Sequence, residues 1–184
     1  MIENNGYIIE YIKKMIDKDG SKQLSLYHGS TVIVDKPCLV PQSRNLDFGH
    51  GFYTTSNIEQ AKEFSHKVYK RTNSGVPTVN SYTLDLESMK YECKILWFEK
   101  PDEAWLDFVC DNRSGNYTGD QYDIVIGPVA NDDVYTTIAL YQEEQLTKEE
   151  ALARLKIKQL YDQYVFCTEK ALSFLKFDKS ESSE

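Results

Sequence analysis

The chain has 184 residues, 41% hydrophobic and 27% charged, with a mean hydropathy of -0.52. Lys+Arg 21 against Asp+Glu 29 leaves a net charge of -8, which repels phosphate backbones and disfavours a broad nucleic-acid cradle. No apolar run approaches the roughly 18 residues of a membrane span, no basic-then-apolar leader opens the chain, and the 4 cysteines are scattered without CxxC or Cys/His spacing. The expectation is a cytoplasmic protein with reduced thiols, no metal and no membrane partner. A chain of this length is expected to hold one core without staples.

Tyr7, Ile8, Tyr11, Ile12, Met15 and Ile16 recur at helical spacing and predict an N-terminal helix over residues 1–20. Leu24, Leu26 and His28 alternate with polar neighbours and predict a strand ending at Gly29; the next twenty or so residues, with Pro37 and Pro41, read as loop with room for one short strand. Phe52–Thr55 is strand-like. Ser56 or Asn57 caps a helix to about Lys70, with Ala61, Phe64 and Val68 on one face. Thr78–Leu86 and Cys93–Phe98 are rich in β-branched and aromatic residues and predict two strands. Pro101 opens a helix with Trp105, Phe108 and Val109 as its buried stripe; on that helix Asp107 reads as surface charge and Arg113 as a C-terminal dipole partner. Asp123–Ile126 predicts a central strand. Helices follow near 132–141 and 147–158, the second opened by the capping box of Thr147 and Glu150. Gln163–Cys167 predicts the last strand, Thr168 caps a short helix to Leu175, and residues 179–184 read as a polar, frayed tail. The result is one α+β domain over residues 21–178, preceded by the helix at 1–20.

Asp47-Phe48-Gly49 matches a kinase magnesium motif by letter, but the Gly-rich loop, strand lysine and H-R-D loop that must accompany it are missing, so the match is chance. Three short segments carry more. Leu26-Tyr27-His28-Gly29-Ser30 puts an imidazole at a strand end beside a glycine whose backbone is open to a ligand. Gly49-His50-Gly51-Phe52-Tyr53 puts two glycines before a strand carrying a tyrosine on which a flat ring can stack. Asp162-Gln163-Tyr164-Val165-Phe166 is a strand near the end of the chain. Taken singly, the first two are better read as a polar strand end and a turn with a core tyrosine.

In this order the three segments resemble the signature of ADP-ribosyltransferases of the His-Tyr-Glu type, the superfamily of diphtheria toxin and poly(ADP-ribose) polymerases. The matching elements are L-x-H-G-[ST] at Leu26–Ser30, G-x-G-[IVF]-Y at Gly49–Tyr53 before a helix, and a late strand at Asp162–Phe166 followed by an apolar segment to Phe177. The resemblance implies split antiparallel β-sheets flanked by helices, with NAD as substrate. It implies that His28 bonds an NAD ribose hydroxyl, Gly29 pairs with the nicotinamide carboxamide, and Ser30 lies beside the adenine ribose. Tyr53 would stack on nicotinamide. Phe64 stands where the family carries a second aromatic, and serves equally as a core residue. Arg44, before the glycines, is either a partner of the pyrophosphate or adenine or a solvated loop cation.

The departure is Gln163, which stands where the family has glutamate. An amide oxygen still accepts a hydrogen bond from the 2′-hydroxyl of the nicotinamide ribose, but it carries no formal charge and cannot act as a base. Chain elongation is therefore disfavoured. Transfer of one ADP-ribose to a macromolecular acceptor, a protein before a nucleic acid, is the expected activity, in a bacterial toxin-like or defence-type setting. A catalytically silent module that binds NAD, ADP-ribose or a protein partner through the same cleft is the alternative.

Overall fold

A computed structural model describes residues 12, 22–41, 45–129, 132–156 and 161–183. Its elements in chain order are β1 (Gln23–Ser30), β2 (Phe52–Thr54), α1 (Ile58–Thr72), β3 (Thr78–Asp85), α2 (Leu86–Glu92) and β4 (Ile95–Trp97). Then come α3 (Glu103–Ser114), β5 (Ile124–Pro128), α4 (Asp132–Gln142), α5 (Lys148–Lys156), β6 (Asp162–Phe166), α6 (Glu169–Leu172) and β7 (Leu175–Ser182). The strands form two sheets, one ordered β1-β3-β7 and one ordered β2-β6-β5-β4. All neighbours are antiparallel except β4 and β5, which run parallel across the α3 crossover.

The period-two alternation of the strands decides where each core lies. Ile124, Ile126, Tyr164 and Phe166 point to one face of the second sheet, where they join Leu26, Tyr82 and Leu84 of the first sheet in one buried cluster. The intervening Val125 and Val165 point the other way, into a second cluster with Trp105 and Leu106 of α3, Ile138 of α4 and Leu155 of α5. Each such side chain contributes about 1.5–3 kcal/mol on burial, so β5 and β6, apolar on both faces, are the mechanical centre of the fold. The result is a single α+β domain. Of the N-terminal helix expected over 1–20, Ile12 alone falls among the described residues; it is helical and fully buried in the first cluster.

Three expectations are corrected. The polar tail at 179–184 is not frayed over its described part: β7 extends to Ser182, pairs Ser182 with Thr78 and Ser180 with Asn80, and buries Ser183, whose hydroxyl lies 2.6 Å from that of Ser65. Backbone ladder bonds hold this edge strand, which its side-chain pattern does not reveal. Residues 86–92, expected to end one strand and lead into the next, form α2, whose N-cap Asp85 accepts from the backbone N–H groups of Glu87 and Ser88. Phe64 does not share the buried face of α1. Ala61 and Ser65 pack inward, while Phe64 is 45% exposed. The capping box on α5 is present as expected: Thr147 N–H donates to Glu150 at 2.8 Å, and Glu150 N–H donates to the Thr147 hydroxyl at 3.2 Å.

Candidate functional site

Among the described residues, the backbones of the two sheets meet at the isolated bridge between Tyr27 and Thr55. Tyr27 N–H donates to Thr55 O at 2.8 Å and Thr55 N–H to Tyr27 O at 2.9 Å. Beyond it β1 stays with β3 and β2 stays with β6. Because backbone groups two residues apart on a strand face the same edge, the N–H and C=O of Gly29 turn to the edge that Tyr27 uses, one step past the point of divergence. Glycine is required there for a separate reason. A Cβ on Gly29 would lie 2.1 Å from the Ala61 carbonyl oxygen and 2.8 Å from Ser65 N, so its absence lets α1 lie directly on β1.

His28 sits on the opposite face of β1. Its Nδ1–H donates to the Tyr53 carbonyl at 2.7 Å, a tautomer assigned from the fact that a carbonyl only accepts. The ring stacks on Phe52 with centroids 4.5 Å apart. Burial lowers the imidazole pKa, and the bond to Tyr53 offsets this only in part. The ring is therefore neutral at pH 7, with Nε2 as an acceptor. Ser30, the next residue but one, receives the Val32 N–H on its hydroxyl at 3.4 Å. Asn80 on β3, fully buried, anchors the segment that follows: its Oδ1 accepts from Val34 N–H at 2.8 Å and its Nδ2 donates to Val32 O at 3.2 Å.

Tyr53 pairs with Val165 across β2 and β6, which puts it on the same sheet face as Gln163. Its hydroxyl donates to Gly49 O at 2.7 Å and accepts from Phe48 N–H at 3.2 Å. Burial, reinforced by the nearby Asp47 carboxylate, raises the phenol pKa well above its ordinary value. The turn that supplies these partners has Gly49 at φ 74°, the left-handed region that favours glycine. A half-buried ion pair secures that turn. Arg113 donates from both Nε and Nη2 to the same oxygen of Asp47 at 2.6 Å, and its guanidinium lies 4.6 Å from the Tyr135 ring centre. Arg113 is thus a clamp on the tyrosine-bearing turn, beyond the dipole role expected of it, and Asp107 pairs with Lys148 at 3.0 Å. Asp47 and Arg113 are 66 positions apart, so their pairing has no local sequence signal.

Gln163 is buried, and its Nε2 donates weakly at 3.4 Å to Pro128 O, which also accepts the Trp105 indole N–H at 3.1 Å. That bond turns the amide nitrogen inward and leaves Oε1 as the accepting end. The preceding Asp162 pins the segment that leads into α1: its carboxylate accepts from Ser56 N–H at 2.9 Å and from the Ser56 hydroxyl at 2.5 Å. Arg44 lies outside the described residues. Among the described residues, no group of three or more His, Cys, Asp or Glu is placed to hold a metal ion, and no helix is long and apolar enough to cross a membrane. Burial pushes the thiols of Cys93 and Cys110 up to about 11 and that of Cys167 up to about 12, which leaves these three protonated and unreactive at neutral pH.

The geometry defines an α+β protein with two sheets parting at one bridge and polar side chains from β1, β2 and β6 near the divergence. The chain belongs to the family described as protein of unknown function (DUF3990), whose model matches residues 24–177, from β1 into β7. No curated protein matches the sequence.

Proposed function

We propose that the chain is a mono-ADP-ribosyltransferase that cleaves NAD at the nicotinamide glycosidic bond and passes ADP-ribose to a macromolecular acceptor. The observation that carries this reading is the convergence of the three motif strands: β1 with His28 and Gly29 bridges the segment after Tyr53, and β2 pairs directly with β6, which carries Gln163. Split antiparallel sheets are the architecture that the resemblance to His-Tyr-Glu transferases implies. The open backbone edge at Gly29 offers one donor and one acceptor, which is what a carboxamide needs. Neutral His28 offers Nε2 to a ribose hydroxyl. Gln163 Oε1 accepts the 2′-hydroxyl as the ribose gains positive charge, and it stabilises that charge by dipole alone. Rate then rests mainly on holding donor and acceptor in line.

A second reading, a silent NAD- or ADP-ribose-binding module, is favoured by the same Gln163, whose amide is engaged inside the protein rather than ionised in a cleft. One experiment separates them. The protein is incubated with labelled NAD in lysate and with buffer alone, and free nicotinamide and labelled macromolecule are measured beside calorimetric binding. Nicotinamide release that disappears in His28→Ala supports the enzyme. Binding without release supports the silent module, and no binding at all removes both.

A further inference from the structure

The helix beside the open edge carries a feature that the three motifs do not use. At 3.6 residues per turn, Gln60, Phe64, Lys67 and Arg71 fall along one flank of α1, and Ile58 and Lys62 along the other. The sides are identified by their contacts. Ile58 and Lys62 line a shallow cavity with Val79 of β3 and Glu181 of β7, on the side of the first sheet. Gln60 reaches the opposite way and accepts from the Thr55 hydroxyl at 2.6 Å. The second flank therefore overhangs the edge of β1 where the two sheets part.

Position along the helix follows from Gly29, which lies under Ala61 and Ser65. Phe64 stands level with Gly29. Lys67 and Arg71 follow about 4.5 Å and about 10 Å further along the axis at 1.5 Å per residue. The end of α1 leads toward Thr31, whose carbonyl accepts from Val76 N–H at 3.0 Å. An exposed aromatic ring is thus succeeded by two exposed cations, running from Gly29 toward Ser30 and Thr31. Glu63 precedes Lys67 by one turn on the outer side of the helix. In a chain of net charge -8, a flank with two cations beside an open backbone edge suits an anion attached to a flat ring.

We propose that Lys67 and Arg71 form the phosphate subsite of this cleft and receive the pyrophosphate of a dinucleotide whose nicotinamide end lies at Gly29 and Phe64. The inference rests on the NAD reading above and adds to it the residues that take the charge. Arg71 supplies a planar fork for phosphate oxygens, and Lys67 a point charge nearer the ring. The test is calorimetric titration of the full chain with ADP-ribose and with NAD, for the wild type, the Lys67→Ala/Arg71→Ala double variant and Lys70→Ala on the outer face. The double variant should bind both ligands at least tenfold more weakly, with an unchanged melting temperature, and Lys70→Ala should match the wild type. In the wild type, affinity for both ligands should fall as sodium chloride rises, and this dependence should flatten in the double variant. Wild-type affinity in the double variant overturns the subsite and leaves the NAD reading standing. So does normal NAD binding and cleavage with loss of transfer alone, which would assign the flank to the acceptor. A wild type that binds neither ligand overturns both.

Discussion

Replacing Gln163 with glutamate introduces the residue that the signature of the proposed transferase class carries there, and the packing of this strand resists it. The Gln163 amide donates to Pro128 O and is almost fully buried. A carboxylate there sets acceptor against acceptor. Losing the bond costs about 1 kcal/mol, and burying an imperfectly solvated charge adds roughly 1–3 kcal/mol. Pro128 O keeps its indole partner, so no further penalty arises at that carbonyl. The expected loss at pH 8 is therefore about 2–4 kcal/mol. Protonated, the new carboxyl donates to Pro128 O and recovers most of it. Its folded pKa must then lie above the unfolded value of about 4.3. The sign follows from proton binding: between the two pKa values the folded state holds the extra proton. Stability is therefore full below about pH 4.3 and falls as pH rises through the folded pKa, by about 1.4 kcal/mol for each pH unit that separates the two pKa values. Urea denaturation of the variant and the wild type at pH 5 and pH 8 measures this directly. A variant equal to wild type at both values would refute the inward-facing amide. Raised NAD hydrolysis in that case would show that the carboxylate faces the proposed NAD cleft with both oxygens.

Four other outcomes follow from the packing. Gly29→Ala drives a methyl into the Ala61 carbonyl and should cost about 3 kcal/mol or prevent folding, as read by thermal denaturation; a stable variant would show that α1 stands off β1. Tyr53→Phe removes both hydroxyl bonds to the Phe48–Gly49 turn and should cost about 1–2 kcal/mol, whereas an unchanged urea midpoint would mean that the turn is held by Arg113 alone. Arg113→Leu takes the guanidinium away from the Asp47 carboxylate, with the two side chains only 15% and 12% exposed, and should cost about 3 kcal/mol; the double change with Asp47→Leu should recover part of that, and no recovery would deny the pair its role. Deleting residues 179–183 removes half of β7 and should lower the melting temperature by several degrees, where a frayed tail would leave it unchanged.

Most helices announced themselves through their first turns. Asn57, Thr147 and Thr168 each cap the helix expected of them, because a cap is a local event written in three or four neighbouring residues. The Asp85 cap carries the same kind of signal, but it lies at the end of a strong β-branched run that hid it. β7 was hidden for the opposite reason. An edge strand facing water on one side needs only backbone partners, and Lys179-Ser180-Glu181-Ser182 looks like tail in any composition-based reading. At the candidate site, the residue types and their order were legible while their surroundings were not. Nothing in the letters tells that Phe64 faces solvent, that the Gln163 amide is turned toward Pro128, or that Asp47 finds Arg113 across 66 positions. Those facts depend on which elements the chain brings together.

The strand order also governs how the molecule can be made. Residues 162–182 supply β6, which lies between β2 and β5 in one sheet, and β7, which completes the other. A ribosome that has emitted everything through α5 has released two unfinished sheets, with β2 separated from β5 and β3 bare along one side. Neither core can close until β6 and β7 emerge, so this domain is expected to fold in one step after them rather than by progression along the nascent chain. Until then the unpaired edges of β3 and β5 are open to pairing with other chains. Synthesis that halts within β6 should yield aggregates rather than a smaller folded protein.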